Sequence, residues 1–308
     1  TFTAEKPATA SYSALSHCGQ VFVEDIGIPA SAGVPEESPV RLIRSVEGMI
    51  REREENSHKG TFGTLAVLAG SADMPGAAYL CLSGALHAGV GLVKFASDDT
   101  ALSVIKNRLS EPVFLSGGAE AIAQTSKTAL LVGCGLGRGF DASLSALLRG
   151  ADVPTVIDAD GINFLASHID VLKEMQAPAA LTPHPMELSR LTGCGVEEIN
   201  RNRVHTARAF TAEYGCYLLL KGSRTVIAAP DGRVRITVSG CSALAKGGSG
   251  DVLAGVVGAL AAQGYDLFDA LTVGAFLHGR AGEQLAVRFG AHGALPSQLP
   301  EEIGRLLG

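Results

Sequence analysis

The chain has no cluster of lysine and arginine to mark out a basic surface. Its 25 basic and 31 acidic residues leave a net charge of −6, which gives no support for nucleic-acid binding. It has no long unbroken apolar run, because glycines and polar residues interrupt each hydrophobic stretch, so no membrane-spanning helix is expected. Its six cysteines (Cys18, Cys81, Cys134, Cys194, Cys216 and Cys241) include no C-x-x-C pair. They argue against a zinc site or a disulfide framework and for reduced thiols in a cytoplasmic protein. Internal repeats, low-complexity tracts and a signal peptide are all missing. No methionine precedes Thr1, so a segment upstream is expected.

With 308 residues, 46% of them hydrophobic, and 38 glycines, the chain can bury the core of one large α/β domain. Residues 1–40 read as a separate N-terminal segment, punctuated by Pro7, Pro29, Pro35 and Pro39, with a strand-like run at Gln20–Glu24. Residues 41–308 read as the main domain. The charged Arg51–Glu55 suggests a solvated helical face. From His58 onward, β-rich runs alternate with helical stretches. Strands are expected at Thr64–Ala69, Gly91–Ala96, Leu130–Gly133, Pro154–Asp158, Ala179–Thr182, Tyr217–Lys221 and Thr225–Ala229, and a helix at Ala77–Ala88. This βαβ alternation of continuously apolar strands predicts a mostly parallel central sheet covered by helices on both faces.

The most informative stretch is Ala243–Leu253, where Gly247, Gly248 and Gly250 precede Asp251 and a long apolar run. The run suits a buried helix with Gly264 at its C-terminal cap. The glycines would then form the turn into that helix, where free amides and about half a positive charge from the macrodipole favour an anion, above all a phosphate. Asp251 in the first turn should be held ionised and thus be a weak base. Phosphoryl transfer tolerates that, because positioning and charge stabilisation dominate it. An ordinary helix start, with Gly for the turn and Asp for the dipole, produces the same pattern.

Other segments bear on that choice. In a parallel sheet, ligands sit beyond the carboxyl ends of the strands. Polar or glycine-rich segments follow nearly every expected strand: Gly70–Ala77, Gly133–Gly137, Asp158–Asn163, Thr182–Glu187 and Lys221–Thr225. Singly, each is weak; a histidine between prolines is more often structural, and a strand-end lysine is usually solvated. Their shared rim is the stronger signal.

Ser57–Gly63, Gly133–Gly137, Asp158–Asn163, Thr182–Glu187, Lys221–Thr225 and Gly247–Asp251, in that order, resemble the ADP/ATP-dependent NAD(P)H-hydrate dehydratases of the ribokinase-like superfamily. The resemblance runs from about Ser57 to the C-terminus. It implies repair of hydrated NADH or NADPH: a nucleotide, ADP or ATP with Mg2+, phosphorylates the ring hydroxyl, and phosphate then leaves to restore the dihydronicotinamide. Asp251 would be catalytic and touch substrate. Ala77, Gly135, Gly137 and His184 would bind the hydrate. Lys221, Gly222, Ser223, Arg224 and Thr225, with Gly247, Gly248 and Gly250, would bind the nucleotide. Asp158, Asp160 and Asn163 look like family loop residues near the metal or phosphates. The resemblance also implies a homo-oligomer.

The chain departs from the family pattern at Met186 (usually Gly), Cys134 (usually Pro) and Cys241 (usually Asn). A thiol cannot replace an amide's donors and acceptor. Thr1–Pro7 and Cys18–Pro29 resemble the tail of an NAD(P)H-hydrate epimerase domain, which precedes the dehydratase in bifunctional members. Without that domain, Gln20–Glu24 would lose its sheet partners. Two rival functions share the glycine-rich element: a ribokinase-like kinase acting on a hydroxymethyl or hydroxyethyl group of a vitamin precursor, and a non-catalytic nucleotide-binding module.

Overall fold

The structure, a computed structural model, describes residues 1–3, 5–6, 18–19, 21–29, 38–137 and 139–308. Among the described residues, ten strands form one sheet: β1 (Val40–Ile43), β2 (Thr64–Leu68), β3 (Leu92–Ala96), β4 (Val113–Phe114), β5 (Ala129–Val132), β6 (Thr155–Ile157), β7 (Ala179–Leu181), β8 (Tyr217–Leu220), β9 (Val226–Ala228) and β10 (Val234–Thr237). Their spatial order is β1-β10-β9-β8-β7-β6-β5-β2-β3-β4. From β4 across to β8 every pairing is parallel; β9 is antiparallel to β8 and β10, and β1 pairs parallel with β10.

Strand alternation divides the core in two. Leu65 and Val67 of β2, Leu131 of β5 and Leu219 of β8 point to one face. Ala66, Leu68, Leu130, Val132, Leu218 and Leu220 point to the other. Both faces are covered by helices, so the central strands have no polar side and read as unbroken apolar runs. The first face is covered mainly by helices Pro75–His87, Ser249–Ala262 and Leu267–Gly293.

Helices Pro75–His87 and Ser249–Ala262 meet at glycines. A β-carbon on Gly255 would lie 1.9 Å from the Cys81 carbonyl oxygen, and one on Gly84 would lie 2.5 Å from that of Val252. This close approach brings the start of the second helix over the middle of the sheet. There β2 leads to β3 on one side while β5 follows on the other. The strand order reverses at this point, where an open α/β sheet leaves a crevice for a ligand. Gly70 N–H donates to the Cys134 carbonyl (2.7 Å) and Gly133 N–H to that of Leu68 (3.1 Å), closing the floor of the crevice.

Two expectations from the sequence are corrected. Arg51–Glu55 is not helical. Arg51 instead donates to the carbonyls of Gln263 and Gly264, beyond the end of helix Ser249–Ala262, and Arg53 lies over the Phe62 ring. The arginines thus satisfy carbonyls that a helix end leaves open. Within Gln20–Glu24, Gln20 lies outside the described residues, and the remainder makes only an isolated bridge between Glu24 and Phe2. Among the described residues, no helix is long and apolar enough to cross a membrane.

Gly255→Ala is expected to cost about 3 kcal/mol, because a methyl against a backbone carbonyl cannot be absorbed. Gly76→Ala, in the first turn of its helix with no described atom within 4 Å of the new methyl, should gain about 0.5 kcal/mol. Urea unfolding midpoints of the two variants test the pair; a Gly255→Ala protein as stable as the parent would contradict the packing.

Candidate active site

Helix Ser249–Ala262 starts at the crevice. Gly248, its N-cap, has φ 97°, and a β-carbon there would meet Leu80 Cδ1 at 2.4 Å, so both backbone and space require glycine. The first-turn amides of Gly250 and Asp251 have no intrahelical acceptor. The turn is fastened from behind by two contacts. Buried His278 donates Nε2–H to the Ser249 carbonyl at 3.0 Å, and Lys246 Nζ donates to the His292 carbonyl at 2.6 Å. Burial lowers the His278 pKa to about 4, so it is a neutral donor.

Asp158, at the end of β6, is the hub of the site. Its Oδ1 accepts from Thr182 Oγ1 (2.6 Å) and from Lys221 Nζ (2.8 Å), while its Oδ2 faces the Cys134 thiol at 3.7 Å. Lys221 is therefore not a solvated strand end. Burial alone would lower its pKa, but Asp158 and Glu187, the latter 3.9 Å away, together raise it above the ordinary lysine value. The ammonium sits beside the helix start, 3.3 Å from where a β-carbon on Gly250 would lie. The lysine is thus fixed, charged, next to the glycine-rich turn.

One electrostatic expectation is overturned. The helix dipole alone predicts an ionised, weakly basic Asp251. Instead, burial and then the neighbouring Asp158 carboxylate push it up to about 7, against the opposing pull of Lys221. Near neutrality such a carboxyl can accept a proton and release it again.

His184 has a structural and a chemical face. It caps helix Pro185–Thr192: its Nδ1 accepts from the Met186 and Glu187 amides (3.1 and 3.2 Å), and Glu187 accepts from the His184 amide at 2.8 Å. Burial, then Lys221 and Arg190, lower its pKa, so the ring is neutral and Nε2 carries the proton. Nε2, on a histidine side chain 47% exposed, lies 3.4 Å from Oε1 of the buried Glu187.

The remaining predicted residues line the same rim. Gly135 lies against Ala77, its would-be β-carbon 2.6 Å from that of Ala77. Gly137 N–H donates to Asp160 Oδ2 at 2.8 Å, and Asp160 and Asn163 are bonded to each other and on to Arg190. Between Asp158 and Asp160, Ala159 is strained, with φ 47°. Gly222 and Ser223 are exposed, Arg224 adopts φ 56°, and Thr225 Oγ1 bonds the Gly222 carbonyl at 2.9 Å. Buried Arg203 holds this loop from below through the Leu220 and Lys221 carbonyls. Gly247 has no described atom within 4 Å of an added β-carbon. Met186 is half exposed, and Cys241 begins a short 3-10 turn without a side-chain cap bond.

Ser57–Gly63 belongs elsewhere. It precedes β2 and pairs with the start of β3, on the amino-terminal rim, where His58 and Thr61 cap a short 3-10 turn. Sequence reasoning did not find His278 or the Asp158–Lys221 pair. A lone histidine in a long helix carries no local signal, and the paired residues lie 63 positions apart.

The fold is shared with a ribokinase-like superfamily protein of Enterococcus faecalis: TM-score 0.77, 22% identity, covering 89% of this chain and 98% of that one. A family model described as NAD(P)H-hydrate dehydratase matches residues 65–305. The ADP-dependent (S)-NAD(P)H-hydrate dehydratase of Neisseria meningitidis is 40% identical over 76% of this chain and 81% of its own length. A crystal structure of the ADP/ATP-dependent NAD(P)H-hydrate dehydratase of Bacillus subtilis, co-crystallised with ATP and Mg2+, superposes with TM-score 0.74 at 32% identity, over 83% of this chain and 92% of that one. The chain belongs to the NAD(P)H-hydrate dehydratase family. It also matches the bifunctional NAD(P)H-hydrate repair enzyme of Moorella thermoacetica at 34% identity, over 97% of its own length but 60% of that enzyme's.

The raised Asp251 pKa has a sign for stability. Its carboxyl is more easily protonated folded than unfolded, so its ionisation weakens the fold progressively between about pH 4 and pH 7. Asp251→Asn should therefore gain thermal stability over the parent across that window, with the gain level above it. A gain that does not change with pH would show that Asp251 titrates normally.

Proposed function

We propose that this chain dehydrates hydrated NADH or NADPH at the expense of ADP or ATP, regenerating the reduced cofactor. The observation that carries the reading is the convergence of Asp251, Lys221 and the Gly247–Gly250 turn at the crevice where the strand order reverses. The nucleotide lies along Lys221–Thr225, with its terminal phosphate on the first-turn amides and beside the Lys221 ammonium. The hydrate lies against Ala77, the Gly135–Gly137 loop and His184, with its ring hydroxyl at Asp251. A cavity of about 630 Å³ lined in part by Leu136, Gly137, Phe140, Asp160, Asn163 and Arg190 adjoins the Gly137–Asp160 contact. It offers room for the part of the dinucleotide remote from the reacting ring.

Asp251 orients the hydroxyl and accepts its proton as the oxygen takes the phosphoryl group, and AMP or ADP leaves. The ring nitrogen's lone pair then expels inorganic phosphate, and loss of a proton from the adjacent ring carbon restores the double bond. The donor set fits Mg2+: Asp158 and Asp160 provide carboxylate oxygens at the crevice, and water and the nucleotide would complete the shell. Bound there, the ion would neutralise phosphate charge. Lys221 and the helix amides place the phosphoryl group, and His184 Nε2–H donates to the substrate.

The N-terminal residues 1–40 we read as the tail of an epimerase domain, supported by full-length matches to bifunctional relatives that are themselves longer. Free cysteines support a cytoplasmic setting.

Incubation with hydrated NADH, Mg2+ and either nucleotide should release phosphate and recover nicotinamide absorbance together. A stable phosphomonoester in place of free phosphate would instead identify a kinase. Asp251→Asn should lower kcat by about a thousandfold and leave nucleotide affinity within about twofold, measured calorimetrically. The rate should rise with pH through about 7, the Asp251 value. In Asp158→Asn that limb should move to lower pH, because the neighbouring charge that raises Asp251 is gone.

A further inference from the structure

We propose that Cys134, Asp158 and Asp251 form a site for a thiophilic divalent cation of the zinc and cadmium class, and that its occupation blocks the enzyme. The cation site needs no assumption about the reaction; the block rests on the function proposed above.

The three side chains come from three separate elements: the ends of β5 and β6 and the first turn of helix Ser249–Ala262. One ligand atom from each lies within 4.8 Å of the other two. A tetrahedral zinc with Zn–S about 2.3 Å and Zn–O about 2.1 Å places its sulfur and oxygen ligands about 3.6 Å apart. Cys134 Sγ and Asp158 Oδ2 are already 3.7 Å apart. Asp158 is held at its other oxygen by Thr182 and Lys221, which turns Oδ2 toward the thiol. A carboxylate fixed in this way by outer partners is oriented before a metal arrives.

The donor set selects the cation. Two carboxylates and a thiol favour zinc or cadmium over Mg2+, which has little affinity for sulfur. A second thiol, Cys81, adjoins Cys134 and adds to the soft character of the pocket. Binding exchanges the Cys134 thiol proton, and any proton on Asp251, for the cation, with the protons going to solvent. Lys221 stays on Oδ1. Asp251, once a ligand, no longer accepts a proton from substrate.

The test is a cadmium titration of the chelator-treated chain under a phosphine reductant, following the thiolate-to-metal charge-transfer absorbance. One equivalent should bind. Affinity should fall at least about tenfold in Cys134→Ser and in Asp251→Asn, and be retained when Cys18, Cys194 and Cys241 are all changed to serine. X-ray absorption of the cadmium-loaded parent should show one sulfur among oxygen neighbours, a readout that does not depend on any variant folding. With Mg2+ in excess, zinc should inhibit turnover, and Cys134→Ser should raise the inhibitory concentration by at least about tenfold. No cadmium uptake by the parent, an unchanged titration in Cys134→Ser, or a shell of two or more sulfurs would overturn the site. Cadmium binding without zinc inhibition would overturn the block alone. A parent inactive on hydrate but binding cadmium would instead count against the reaction.

Discussion

The buried Asp158–Lys221 ion pair sets the electrostatics of the whole crevice. Removing either partner would strand a charge in a poorly solvated place, a cost of several kcal/mol in general terms. Together they do three things. The pair keeps a lysine charged despite burial, stations that charge beside the Gly250 turn, and leaves a negative neighbour next to Asp251. The first two suit an incoming phosphate. The third adds to burial in raising the Asp251 carboxyl. One interaction thus acts on the helix start and on Asp251 in opposite senses.

That pair works only because the backbone brings its surroundings close. Glycines at the contact of helices Pro75–His87 and Ser249–Ala262 let one helix start directly above the reversal of strand order. The neutral His278 then fixes the Ser249 carbonyl from behind the helix start. Burial keeps the imidazole uncharged.

Much of this was legible in the residue order. The strand from Thr64 to Leu68 and those ending before Gly133, Asp158 and Thr182 announce themselves as apolar runs closed by polar or glycine-rich segments, and the structure places them within about a residue of expectation. The two strands at one end of the sheet were not legible: β1, at the edge, and β10, its neighbour, read Val-Arg-Leu-Ile and Val-Arg-Ile-Thr, where an arginine in a four-residue segment hides the pattern. Electrostatics were less legible still. The helix dipole argued for an acidic Asp251, but burial and a carboxylate from a strand 93 residues earlier decide otherwise. Local rules weigh what is near in the chain, and this group answers to what is near in space.

Ala159 has a consequence of its own. Held with φ 47°, it sends the two acids on either side of it in different directions, Asp158 to the lysine and Asp160 to the Gly137 amide. One short turn thereby serves two independent clients. A shift of the Gly137 loop can thus be followed by Asp160 while the Asp158–Lys221 pair keeps its place.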